Sequence, residues 1–152
     1  MAYYTGSVYT DKVGQVVANL TKYAYTDSET NLFPEGQCTW YAFGRAFERY
    51  GGPLPVSGDG GSWYNNVVEW PGVTKRAKTN DPVSKSIACF GDSGAGHVVF
   101  IEQVTGGNVY FTEGNSWCAD GTVQKKSISS FKTLWGKTLQ GYIVLTNYIP
   151  QT

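Results

Sequence analysis

The stretch from His97 to Glu113 constrains the fold most. His97–Val104 is an apolar, β-branched run, Thr105-Gly106-Gly107-Asn108 is a glycine-bearing turn, and Val109–Glu113 is a second apolar run. Two such runs around a short loop read as a β-hairpin. If the loop closes at residues 105–108, the strands are antiparallel and the second ends level with the start of the first. That sets Glu113 beside His97, with Asn115 just beyond. His97 is the only histidine of the chain. It follows the glycine-rich turn Gly91-Asp92-Ser93-Gly94-Ala95-Gly96, where other backbone can approach closely.

The rest of the chain supports a helices-then-sheet order. Val13, Val16, Val17 and Leu20 fall on one helical face, with Asp11 as N-cap. A second helix is expected from Cys38, with Tyr41, Ala42, Ala46 and Phe47 on its apolar side, ending before Gly51-Gly52-Pro53. Ser62–Trp70 reads as a short helix capped by Ser62, and residues 71–85 as a loop with solvated Lys75, Arg76 and Lys78. Strands are expected at Ser86–Phe90, Thr122–Ile128 and Gln140–Thr146, with a loop or helical turn at Ser129–Trp135. Helices followed by an antiparallel sheet make the class α+β. At 152 residues, one domain is expected.

The second helix gives the hairpin a chemical partner. Cys38 comes just after the turn Pro34-Glu35-Gly36 and at a helix start, where the helix dipole favours thiolate over thiol. A thiol nucleophile needs a base within hydrogen-bond reach and a third polar group to orient that base. His97 is the candidate base. Glu113 is the candidate orienting group, with Asn115 as a neutral alternative or a substrate contact.

Formal net charge is zero, with only 16% charged residues, which disfavours a nucleic-acid partner. The sequence has no apolar run long enough to span a membrane. Residues 1–6 carry neither a basic n-region nor an apolar h-region. The expected setting is therefore a protein that stays in the cytoplasm until released by other means, or a piece cut from a longer chain. Cys38, Cys89 and Cys118 fit no disulfide framework or zinc pattern. Cys89 and Cys118 are expected to be structural thiols.

Three blocks carry a family resemblance: Gly36-Gln37-Cys38-Thr39-Trp40-Tyr41-Ala42 with Gly44-Arg45, then Gly96-His97-Val98, then Glu113-Gly114-Asn115. In order and spacing they resemble the CHAP family of cysteine amidohydrolases/peptidases, papain-like domains of bacterial and phage peptidoglycan hydrolases. The similarity covers roughly residues 30–146, leaving 1–29 as an N-terminal extension. The resemblance implies a papain-like fold, related to NlpC/P60 domains, with N-terminal helices packed on the sheet. It implies Cys38 as nucleophile, His97 as general base and then acid, and Glu113 as orienting carboxylate supported by Asn115. The backbone N–H of Cys38 would be one oxyanion donor and Gln37 a candidate second. Trp63, Tyr64 and Trp117 are the candidate substrate-groove residues.

Some relatives bind calcium ahead of the cysteine. Here Asp27, Glu29, Asn31 and Glu35 make a thin donor set for a cation wanting six or more oxygens, so no cofactor is expected and calcium is not favoured. The expected partner is peptidoglycan, with a separate wall-binding domain in the parent protein. The expected reaction is cleavage of the N-acetylmuramoyl–L-alanine amide or of a stem or cross-bridge peptide bond. The same chemistry on a non-wall amide, such as a γ-glutamyl or polyamine amide, is the alternative. A catalytically silent wall-binding module is the alternative of another class.

Overall fold

The computed structural model describes residues 13, 33, 36–50, 53–91, 95–114 and 122–145. The helix expected over residues 13–20 lies outside them, apart from an exposed Val13. Helix α1 runs Cys38–Tyr50 and packs against the sheet. A 3-10 turn at Gly60–Ser62 leads into the one-turn helix α2, Trp63–Asn66. The strands are β1 Thr74–Ala77, β2 Ser86–Gly91, β3 His97–Thr105, β4 Asn108–Thr112, β5 Gln124–Ser127 and β6 Thr138–Val144. Helix α3, Ile128–Phe131, and a 3-10 turn, Leu134–Gly136, lie between β5 and β6. All strand pairs are antiparallel, in the order β1-β6-β2-β3-β4-β5. The chain has the α+β fold that the sequence implied.

The two sheet faces bury separate cores. Ile87, Cys89, Val98, Phe100 and Ile143 meet Tyr41, Ala42, Phe43, Ala46 and Phe47 of α1. Ala88, Phe90, Val99, Ile101, Val109 and Phe111 meet Phe131 and Leu134 on the other side. Burial on both faces explains why β2 and β3 read as continuous apolar runs rather than alternating ones.

Three local expectations are corrected. Residues 71–85 are not all loop: Thr74–Ala77 forms edge strand β1 against β6. Most of its side chains are exposed, so it shows no apolar alternation, and its Lys75 and Arg76 suit an open edge. The helix expected over Ser62–Trp70 stops at Asn66, because Val67 turns extended and Val68 N–H donates to the Pro55 carbonyl at 3.0 Å. Ser62 makes no side-chain cap bond.

The hairpin closes as expected, with Thr105 opposite Asn108 and Val104 opposite Val109. The register then shifts between Ile101 and Gln103, leaving Glu102 as an extra residue: a β-bulge. Below the bulge Ile101 faces Phe111 and Phe100 faces Thr112. An unbroken count from Val104 would set Glu113 across from Phe100, on the α1 face. The one-residue slip instead puts Glu113 on the side of Val99 and His97, because strand side chains alternate with period two.

The start of β3 is clamped by glycines. Gly61 N–H donates to the Ala95 carbonyl at 2.7 Å. Gly96 has φ +74°, and a Cβ there would lie 2.4 Å from Gly61 Cα and 2.6 Å from the Phe90 carbonyl oxygen. Only glycine fits this crossing, and the crossing fixes where His97 enters the sheet.

Candidate active site

Cys38 is the first residue of α1, half-buried, at a point where first-turn amides find no carbonyl within the helix. Burial works against its thiolate. A hydrogen bond and charge from His97, with backbone hydrogen bonds from Val98 and Thr39, outweigh burial and hold the thiol below its ordinary value. His97 is nearly buried at the opposing strand start. Burial also opposes its charged form, but hydrogen bonds and charge from Cys38 and Glu113 push its pKa up to about 9. The two shifts run in the directions that favour a thiolate–imidazolium pair at neutral pH.

Glu113 is fully buried just after β4, and its Oε1 lies 2.6 Å from His97 Nε2. That leaves Nδ1 of the imidazole for the sulfur of Cys38. Gly114 makes the junction possible: a Cβ there would lie 2.6 Å from Tyr41 Cβ and 2.9 Å from the Gln37 carbonyl oxygen. The glycine lets the first turn of α1 rest directly on the chain leaving β4.

The structure thus brings Cys38, His97 and Glu113 together. Gln37 is exposed immediately before Cys38, and its carbonyl accepts from Tyr41 N–H at 3.0 Å. Asn115, Trp117 and Cys118 lie outside the described residues, as do Asp27, Glu29, Asn31 and Glu35. Trp63 is corrected as a groove residue. It is fully buried in the α1-side core, its indole N–H donates to the Gly58 carbonyl at 3.1 Å, and it has no face to offer a ligand. Tyr64 leans on β6 at Gly141, with Lys75 Nζ 5.2 Å from its ring centroid. No hydrogen bond or ring contact joins it to Cys38, His97 or Glu113. Cys89 is a buried free thiol, as expected. Among the described residues, no group of three or more His, Cys, Asp or Glu side chains is placed to hold a metal ion.

Two neighbours of Glu113 went unread in the sequence. Gln124 Nε2 donates to Glu113 Oε2 at 2.6 Å, and Trp135 Nε1 donates to Oε1 at 2.9 Å. Gln124 sits across from Phe111 in the β4–β5 ladder, so a firm pairing of those strands would have pointed diagonally to Glu113. Nothing in the local pattern separates Trp135 from a core tryptophan.

A cysteine at a helix N-terminus, served by an imidazole and a buried carboxylate from an antiparallel sheet, is the arrangement of the papain-like class. A family model, the CHAP domain, matches residues 28–115. The chain belongs to the CHAP domain family. It is 32% identical over 107 residues to staphylococcal secretory antigen ssaA2 of Staphylococcus aureus, covering 68% of this chain and 36% of that protein. It is 30% identical over 104 residues to staphylococcal secretory antigen SsaA of Staphylococcus epidermidis, covering 66% and 37%. The chain therefore spans little more than a third of the length of these relatives. Its fold is similar to the crystal structure of Ly7917, with TM-score 0.52 and 18% identity over 72% of this chain and 53% of the other.

Proposed function

We propose that this chain is a cysteine amide hydrolase acting on bacterial peptidoglycan outside the cytoplasm. The observation that carries the proposal is the continuous path from Cys38 through His97 to the buried Glu113 carboxylate. CHAP membership and relatives described as secretory antigens support the wall as the place of action.

In this reading the Cys38 thiolate attacks the amide carbonyl carbon. The Cys38 backbone N–H and Gln37 receive the oxyanion. His97, protonated in the resting pair, gives its proton to the leaving amine as the C–N bond breaks, leaving an acyl-thioester on Cys38. Neutral His97 then takes a proton from water, which attacks the thioester and frees the acid product and Cys38. Glu113 holds the imidazole orientation throughout and faces its positive charge whenever His97 is protonated. No step calls for a metal, so activity is expected to survive chelation by EDTA.

The test is digestion of purified sacculi from several bacteria, with mass spectrometry of the new termini, beside Cys38→Ala and His97→Ala. A new L-alanine amino terminus identifies an amidase. A new cross-bridge or D-amino-acid terminus identifies an endopeptidase. Failure of the wild-type protein to release fragments overturns the wall reading. Equal release by Cys38→Ala overturns the thiol mechanism.

A further inference from the structure

Glu113 is fully buried, and both its oxygens are occupied. Oε1 accepts from Trp135 Nε1 at 2.9 Å as well as facing His97, while Oε2 accepts from Gln124 Nε2 at 2.6 Å and lies 3.2 Å from Trp135 Nε1. An indole N–H can only donate, so the contact needs an acceptor in that spot. Donors on both oxygens fix the carboxylate plane and leave it little freedom to rotate away from the imidazole.

The backbone at Trp135 adds an independent observation. Trp135 has φ 55° and ψ 26°, a left-handed conformation that a bulky side chain rarely adopts. Such a conformation persists only where its surroundings hold it. Here it turns the chain after Leu134, which is anchored in the core, and aims the indole N–H at Glu113. The ring itself does not stay for burial: it is 45% exposed, with Lys126 Nζ 5.5 Å from its centroid. A tryptophan with a strained backbone, an exposed ring and a buried N–H contact is placed for that contact.

We infer that Trp135 and Gln124 are positioning residues that lock the Glu113 carboxylate against His97 Nε2 and so sustain the Cys38–His97 pair. The inference rests on the proposed cysteine mechanism but can be tested apart from it, because His97 is the sole histidine and its ring nitrogens give an unambiguous NMR signal. Among the described residues, the ionisable groups around His97 are Cys38 from α1 and Glu113 after β4, with Lys126 of β5 over the Trp135 ring and Asp59 preceding the Gly60 turn. Trp135→Phe leaves all four in place and removes the indole N–H together with the pyrrole part of the ring.

The experiment compares wild type, Trp135→Phe, Gln124→Met and the double variant, all carrying Cys118→Ser. It uses 15N-histidine NMR titration, iodoacetamide alkylation of Cys38 at pH 6, and kcat and KM on solubilised wall fragments. Each single variant is expected to lower the His97 midpoint by about one pH unit and the alkylation rate and kcat about tenfold, with KM little changed. The double variant is expected to lose more than either. An unmoved His97 signal in folded Trp135→Phe overturns the inference. So does a raised KM at unchanged kcat, which makes the exposed ring a substrate contact instead. If wild type cleaves no wall fragment while the His97 midpoint still falls in the variants, the wall reading fails and the positioning role stands.

Discussion

Two buried polar clusters join α1 to the β3–β4 hairpin, and they are built for opposite ends. Beneath the middle of the helix, Arg45 donates through Nε and Nη2 to both oxygens of Glu102, each at 2.9 Å, and its Nη1 reaches Glu48 at 3.4 Å. Thr112 Oγ1 donates to Glu102 Oε2 at 2.9 Å. At the helix start, Cys38, His97 and Glu113 form the second cluster. A guanidinium does not give up its proton near neutral pH, so the Arg45 cluster holds a fixed charge pattern. A thiol and an imidazole can exchange one, so the Cys38 cluster has two protonation states. The first cluster can specify geometry; the second can move a proton.

The clusters are also mechanically connected. Glu102, the residue gripped by Arg45, is the bulged residue of β3. The bulge decides that Glu113 shares a face with His97. The buried ion pair therefore sits where it can hold the strand register on which the reactive cluster depends, a specificity role rather than a gain in net stability.

The comparison can be broken by exchanging the roles. The largest effect on activity is expected from Cys38→Ala, with a loss of at least about a thousandfold in wall hydrolysis and little change in the urea midpoint. A collapse in stability would show that the thiol is part of the scaffold. Arg45→Met is expected to act the other way, destabilising the fold by about 3–5 kcal/mol in urea unfolding, because the buried Glu102 carboxylate loses its bidentate guanidinium. Pairing it with Glu102→Met should restore much of that stability. Activity should stay low in the double variant if the ion pair holds the bulge, and return with stability if it does not.

Gly114→Ala is a smaller perturbation at the seam between the clusters. The added methyl must displace Tyr41 or the Gln37 carbonyl, for a cost of about 1–3 kcal/mol by thermal unfolding together with reduced activity. The gentlest test is pH. The thiolate–imidazolium pair exists above the lowered thiol value of Cys38 and below the His97 value of about 9. Cys38 alkylation should therefore keep a plateau through neutral pH, with the imidazolium lost as pH rises through about 9. Glu113→Gln removes one of the influences that raise His97, so it should draw that upper edge to lower pH. In a Cys118→Ser background the signal belongs to Cys38, since Cys89 is fully buried and burial pushes its thiol far up.

The sequence alone determined the α+β class, the helix starting at Cys38 and the hairpin closed at residues 105–108, and it singled out Cys38, His97 and Glu113 as candidate partners. These follow from local signals: apolar periodicity, glycine turns, and a lone histidine at a strand start. Tertiary structure alone decided the rest. The exposed β1 shows no alternation, so pairing with β6 had to define it. Trp63 and Trp135 look alike in sequence, yet one is enclosed by the core and the other is turned outward by a left-handed backbone, with its N–H on Glu113. The bulged Glu102 is met by a guanidinium from a helix residue 57 positions earlier. A one-residue slip costs nothing in local pattern but exchanges the faces of a strand, so the side of the sheet on which Glu113 stands was settled only by long-range packing.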